Sequence, residues 1–429
     1  MYKAALITQL YLKRGEKMKY VIIGNSAAAV GAIEGIRKID TDGEITVISK
    51  EPYHVYSRPL ISYLLYGKTD EERMKYRKDN FYEVMNCKTI LGKEAVKIHP
   101  ERKEIELDDH TAVHYDKLLI ATGSQPFIPS VEGLESVKSK FTFMSLDDAK
   151  DLDNSLTPDS KVLIIGAGLI GLKCAEGIRK KVSSITVVDL SDRILSSILD
   201  KEGASVVQSH IEKENIEFIL NTSVAKFLDH KAILSNGEEV DFDVLVLAVG
   251  VRPNINLIKE INGKVDRGIV VDEFCQTSLS DIYAAGDCCE SHDITTDQNK
   301  VLALLPNAYM MGECAGTNMA GGEKIYDKAI PMNAIGFFGL HLITAGSYEG
   351  DVYTQNIPGQ YKKLFAKDGL LKGYIIIGNI EKAGIYTSLI RDRVPLSDID
   401  FELICRKPSL MAFSKIERKK KLGGVIHGY

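Results

Sequence analysis

Two short apolar runs, each leading into a glycine-rich turn and a helical stretch, constrain this chain more than any other feature. The first reads Lys19-Tyr-Val-Ile-Ile-Gly24-Asn-Ser26-Ala27-Ala28-Ala29, and the second Lys161-Val-Leu-Ile-Ile-Gly166-Ala-Gly168-Leu169-Ile170-Gly171. This pattern predicts a buried parallel strand, a tight turn and a helix, and hence an α/β fold. A helix start carries about half a positive charge and several unpaired N–H groups, so it receives a pyrophosphate without a cationic side chain. One such turn serves one dinucleotide. Two turns predict two dinucleotides held in one protein.

The chain has 429 residues, more than one hydrophobic core usually fills, so two or three domains are expected. A net charge of -5 points away from nucleic acid and anionic membrane as partners. No apolar run approaches the roughly eighteen residues of a membrane span. Seven scattered cysteines (Cys87, Cys174, Cys275, Cys288, Cys289, Cys314 and Cys405) lack both a disulfide framework and metal-ligand spacing. They read as reduced thiols of a cytoplasmic protein with no metal site. Residues 1–17 place Lys13, Arg14 and Lys17 after their apolar patches, the reverse of a signal peptide, and read as an extension ahead of a natural start at Met18.

In the first motif Gly24 permits the turn, Ser26 stands where a phosphate approaches, and Ala27 and Ala28 open the helix. The next strand, 44–49, leads to Glu51, an acid placed to hydrogen-bond ribose hydroxyls. Arg58, just before Pro59 at a helix start, is a candidate for bidentate pairing with a diphosphate. In the second motif Gly166, Gly168 and Gly171 complete the fingerprint, with Leu169 and Ile170 in the first helical turn. Its second strand ends in Asp189, whose charge would repel the 2′-phosphate of NADPH. One such pair at about 4 Å costs about 4 kcal/mol before screening, so even half of that favours NADH about thirtyfold. Arg193, four residues on, would soften the preference.

Three further segments follow in order: Ala121-Thr122-Gly123, Gly250-Val-Arg252-Pro253-Asn254 and Gly286-Asp287. With them, residues 18 to about 400 resemble the FAD-dependent pyridine nucleotide-disulfide oxidoreductase family. Tyr56-Ser-Arg-Pro-Leu-Ile-Ser62 and Ile330-Pro-Met-Asn333 are similar to its branch holding NADH:rubredoxin reductases and the flavin module of nitrite reductases. The resemblance implies two Rossmann-like domains, an FAD domain (18–127 and 256–327) with an NAD domain (128–255) inserted, plus a C-terminal α+β domain (328–429). It implies that Ala121, Thr122 and Gly123 close over FAD and that Asp287 accepts from a ribityl hydroxyl beside Gly286. The helix containing Asn307 would start near the flavin, and the loop from Gly250 would press NADH against it. Family members use the C-terminal domain to cover the flavin, to dimerise or to dock a partner. Within it the sequence predicts a hairpin about Asp368-Gly369 and a helix over 382–393.

Two departures bear on the chemistry. Disulfide reductases of the family carry redox cysteines on the helix after the first ribose acid, whereas residues 56–66 here contain no sulfur. The adjacent Cys288 and Cys289 read as structural thiols. Lys173 stands where many relatives have a glutamate near the nicotinamide; a partner in the cofactor diphosphate, a flavin-side carboxylate or plain solvent are its alternatives. The leading expectation is that hydride passes from NADH to FAD and electrons leave to an external iron-sulfur protein, such as a rubredoxin or ferredoxin, or to a partner subunit. An NADH oxidase yielding hydrogen peroxide and a non-catalytic, FAD-bearing sensing subunit are the alternatives. The basic run Arg418–Lys421 reads as solvated or as an attraction for an acidic carrier.

Overall fold

The computed structural model describes residues 17–414 and 418, so all of the expected extension but Lys17 and most of the basic run lie outside the described residues. The chain builds the same unit twice. In the first, strand Lys19–Ile23 sits at the centre of a five-stranded sheet in the order Ile282–Ala284, Lys117–Ile120, Lys19–Ile23, Glu44–Ser49, Cys87–Leu91. All four pairings are parallel. In the second, Lys161–Ile165 is central to the parallel order Ile216–Ile219, Ser184–Val188, Lys161–Ile165, Val244–Leu247, Lys140–Phe141. The apolar runs are buried except for their first lysine, as strands covered on both faces require.

Each unit carries a three-stranded antiparallel meander just before its returning strand. The first runs through Ala95–His99, Glu104–Leu107 and Ala112–His114, the second through Val224–Leu228, Lys231–Leu234 and Glu239–Asp241. The chain crosses between the units along two short antiparallel strands, Ser124–Pro126 and Val251–Pro253, paired with each other.

The helix after the first turn, Ala27–Arg37, lies against Leu305–Met319 at unusually short range. A Cβ on Gly312 would come 1.9 Å from the Ala28 carbonyl oxygen, one on Gly316 2.2 Å from that of Ala32, and one on Gly31 2.2 Å from that of Tyr309. Only glycine allows this approach. Because Ala28 meets Gly312 and Ala32 meets Gly316, the helices run in parallel, and their N-termini end on the same side.

The third unit is an antiparallel sheet in the order Met332–Phe337, Leu340–Gly346, Leu370–Ile377, Gln360–Lys367, Asp351–Ile357. The expected hairpin is present, with Asp368 and Gly369 at φ 55° and 69° linking Gln360–Lys367 to Leu370–Ile377. The expected helix is shorter, Ala383–Arg391, because Lys382 and Arg393 take left-handed backbone angles at its ends. One face of the sheet buries Tyr374, Ile376 and Leu364 under helices Ala383–Arg391 and Phe401–Arg406. The other packs Phe337, Tyr361, Phe365 and Ile377 against the second of the two repeated units. Polar contacts reinforce that seam: Tyr361 and Lys363 both donate to Asp200, each at 2.7 Å.

Candidate functional site

The two glycine turns have one geometry, which follows from their sequences. A Cβ on Gly24 would stand 2.0 Å from the carbonyl oxygen of Ala121, and one on Gly166 2.3 Å from that of Ala248. In both units the returning strand therefore passes directly beside the turn, at φ values of 119° and 111° that favour glycine. Ser26 and Gly168 are the extended residues before the helices, and neither uses a side chain to cap them. No acid occupies the first turn of Ala27–Arg37, Leu169–Ile178 or Leu305–Met319. Each N-terminus thus keeps its N–H groups and positive end for an anion. Gly171 fits beneath Gly166, where a Cβ would meet its carbonyl at 2.0 Å. Leu169 and Ile170 are half-buried beside it.

Around the first turn the predicted residues converge. A Cβ on Gly286 would lie 3.2 Å from Ala28 Cβ and 3.5 Å from Ala308 Cβ, so Gly286 sits between the first turns of the two parallel helices. Asp287 follows at this joint. Burial pushes its carboxyl up to about 6, against the pull of the nearby Arg58 guanidinium. No described protein group donates a hydrogen bond to this carboxyl. A burial-strained carboxylate at the meeting of two helix N-termini fits a group bearing both hydroxyls and phosphates, so the residues present suit FAD.

Glu51 and Arg58, read separately in the sequence, are paired with each other in the structure. Arg58 Nη2 donates to Glu51 Oε1 at 2.5 Å, while Nη1 donates to the Tyr56 hydroxyl at 3.1 Å and the Met144 carbonyl at 3.3 Å. These contacts fix the guanidinium beside Glu51. Tyr56, which the sequence reading passed over, donates to Glu51 Oε2 at 2.7 Å and accepts from the Leu146 amide at 3.0 Å. It anchors the pair, and its burial holds the phenol well above its ordinary pKa. The sequence signal was its spacing, five residues after Glu51 and two before Arg58.

Thr122 and Asn307 also serve the scaffold. Thr122 Oγ1 donates to the Asn254 carbonyl and Asn254 Nδ2 to the Thr122 carbonyl, both at 2.9 Å, stapling the two crossing strands next to Gly123 and Gly250. Asn307 is buried, and its amide donates to the Ile330 carbonyl at 3.1 Å, so its side chain ties the third unit to the helix start.

At the second turn Asp189 accepts from the amide of Ala167 at 2.6 Å and that of Ser191 at 2.7 Å. The carboxylate is thereby fixed on the rim of the glycine turn. Arg193 pairs with Asp192 at 2.6 Å and donates to the Leu199 carbonyl at 3.1 Å, within its own loop. Lys173 is largely shielded from solvent, with partners on its own helix and on the third unit. Its ammonium forms an ion pair with Glu176, donates to the Gly336 carbonyl at 3.2 Å and lies 4.5 Å from the centroid of the Tyr63 ring. Glu176 in turn accepts from the Phe338 amide at 2.8 Å. The pair is a buried clamp between the second and third units.

The model of the family described as pyridine nucleotide-disulphide oxidoreductase matches residues 18–312. The chain belongs to this family. It is accordingly an oxidoreductase that uses FAD and a pyridine nucleotide. Among curated relatives, the NADH-dependent phenylglyoxylate dehydrogenase subunit epsilon of Aromatoleum evansii is 33% identical over 90% of this chain and 94% of its own length. An NADH oxidase of Methanocaldococcus jannaschii is 30% identical over 84% and 88%, and an NADH-rubredoxin oxidoreductase of Clostridium acetobutylicum 26% over 84% and 91%. A putidaredoxin reductase–putidaredoxin complex shares the fold, with a TM-score of 0.84 at 22% identity, covering 95% of this chain and 99% of that one. No helix among the described residues is long and apolar enough to cross a membrane.

Proposed function

We propose that this oxidoreductase takes hydride from NADH and delivers electrons to a separate carrier protein, a rubredoxin- or ferredoxin-like iron-sulfur protein or a partner subunit. The carrying observation is the segment 56–66. It packs against the helix Leu169–Ile178, with Gly177 lying against the Ser62 carbonyl and Leu65, and it bears no thiol through which electrons could leave. The relatives named for rubredoxin and for a dehydrogenase subunit support the same direction.

FAD, when bound, supplies the group that accepts hydride and gives up electrons. The chain supplies position and field. The flavin domain comprises 18–127 and 256–327, with 128–255 for NADH and 328–429 as the interface domain. Gly24, Ser26, Ala27 and Ala28 receive the FAD pyrophosphate, Glu51 held by Arg58 faces its ribose, and Ala121, Thr122 and Gly123 border it. Gly286 and Asp287 meet its ribityl chain at the helix start of Leu305–Met319. Gly166, Gly168, Leu169, Ile170 and Gly171 receive the NADH pyrophosphate, Asp189 its ribose, and Gly250 opens the loop beside it. Lys173 positions the interface domain.

Stopped-flow reduction of the FAD-loaded protein tests the reading. NADH should bleach the flavin rapidly, and a rubredoxin or ferredoxin should reoxidise it faster than oxygen does. The oxidase-named relative supports a second reading, in which oxygen is the faster acceptor and hydrogen peroxide accumulates. Oxygen turnover exceeding that of every carrier would replace the first reading by the second.

A further inference from the structure

The third unit holds a cleft of about 270 Å³ at the end of its sheet, between strands Gln360–Lys367 and Leu370–Ile377, the start of helix Ala383–Arg391 and the turn after Phe401–Arg406. Its charged lining is Lys362, Lys382, Arg406 and Lys407 against a single acid, Glu381. Arg406 is paired with Glu402, outside the cleft. The three lysines have no carboxylate partner among the described residues. They come from three separate segments, so no local helical or turn pattern accounts for their meeting.

Lys362 is the most telling of them. Its side chain is half-buried, and its ammonium donates to the Cys405 carbonyl at 2.6 Å. Burial disfavours the charged form and pulls its pKa below the ordinary lysine value. Besides that carbonyl its ammonium faces only the Tyr353 ring, 5.8 Å to the centroid, so no opposite charge among the described residues balances it, and an anion in the cleft would do so. Lysine ammoniums are compact charges with rotatable donors, suited to the divergent oxygens of phosphate. The amides of Gln355, Gln360 and Asn379 add neutral polar groups on the same walls. The concave shape suits a small molecule better than the face of a protein.

We propose that this cleft binds a small phosphate-rich anion carrying at least two negative charges, at a site separate from both glycine turns. Tyr361 lines the cleft and its hydroxyl holds Asp200, so the site borders the seam with the NADH unit. An occupant there is in a position to alter how the two units sit together.

The test uses the full-length, FAD-loaded protein with NAD⁺ at saturation, so that the second glycine turn is filled. Inorganic tripolyphosphate is titrated calorimetrically at low salt, and the expected result is saturable binding at one site. K382E/K407E should weaken it at least tenfold, and K362M, which keeps the stem but not the charge, should weaken it too. Flavin spectra and melting temperatures of the variants show that they remain folded. Tighter binding of ADP than of pyrophosphate would identify the occupant as a nucleotide, and equal binding as an inorganic phosphate; both support the proposal. Absent binding, equal affinity in the variants, or competition by NAD⁺ overturns it. So does slowed turnover with rubredoxin in the lysine variants at unchanged tripolyphosphate affinity, which would make the cleft a protein dock.

Discussion

Replacing Gly312 with alanine tests whether the joint between helices Ala27–Arg37 and Leu305–Met319 sets the flavin cradle. The new methyl would lie 1.9 Å from a backbone oxygen, and an ordinary contact there needs about 3.4 Å. The helices must therefore part by more than an ångström, because a backbone carbonyl cannot rotate aside. Overpacking costs about 1–3 kcal/mol, and a clash with backbone this short belongs in the upper part of that range, about 2–3 kcal/mol, partly offset by the better helix propensity of alanine, roughly 1 kcal/mol. The net expectation is a loss of about 1–2 kcal/mol, or about 2–8 °C in melting temperature for a unit of this size. The effect on cofactor should exceed the effect on stability, since Gly286 is wedged between Ala28 and Ala308 of the same two helices. FAD retention, followed by flavin fluorescence during dilution, should weaken at least tenfold. Gly384 is the control: nothing lies within 4 Å of its would-be Cβ, so Gly384→Ala should be neutral or mildly stabilising. A Gly312→Ala protein that melts like the parent and keeps its flavin would refute the close-packed joint.

Three further outcomes are expected. In FAD-free protein the Asp287 carboxyl, near 6 when folded and about 3.9 when unfolded, keeps its proton in the native state across that interval. Stability should therefore fall as pH rises through it, by about 3 kcal/mol at most, and Asp287→Asn should remove that slope; parallel melting curves from pH 4 to 7 would contradict this. Asp189→Ala should lower the preference for NADH over NADPH about tenfold or more, read as the ratio of kcat/KM values. Lys173→Met should cost about 3 kcal/mol by leaving Glu176 buried and unpaired, with Lys173→Met/Glu176→Gln recovering much of the loss in thermal melts.

The parts legible in the sequence are those that local chemistry dictates. Both glycine turns, the Asp-Gly hairpin and the acid-ended strands follow from backbone angles and strand period, which a short window contains. The glycine spacing at 31 and 35, and again at 312 and 316, was visible, yet the sequence does not say which two helices meet. Side-chain commitments were least legible, because they depend on what the fold brings alongside. Arg58 pairs with Glu51, Arg193 with Asp192, and Lys173 with an acid on its own helix and a carbonyl from a strand some 160 residues away. A long cation goes to the nearest buried acceptor, and sequence position alone does not reveal it.

The two strands that carry the chain out of the first repeated unit and back lie side by side, with Gln125 opposite Arg252. The inserted segment therefore begins and ends at one doorway, in the manner of a cassette. Trimming it away and joining the two strands by a tight turn would leave the outer fold's connectivity intact. The remnant made in this way would show whether the outer half can stand alone.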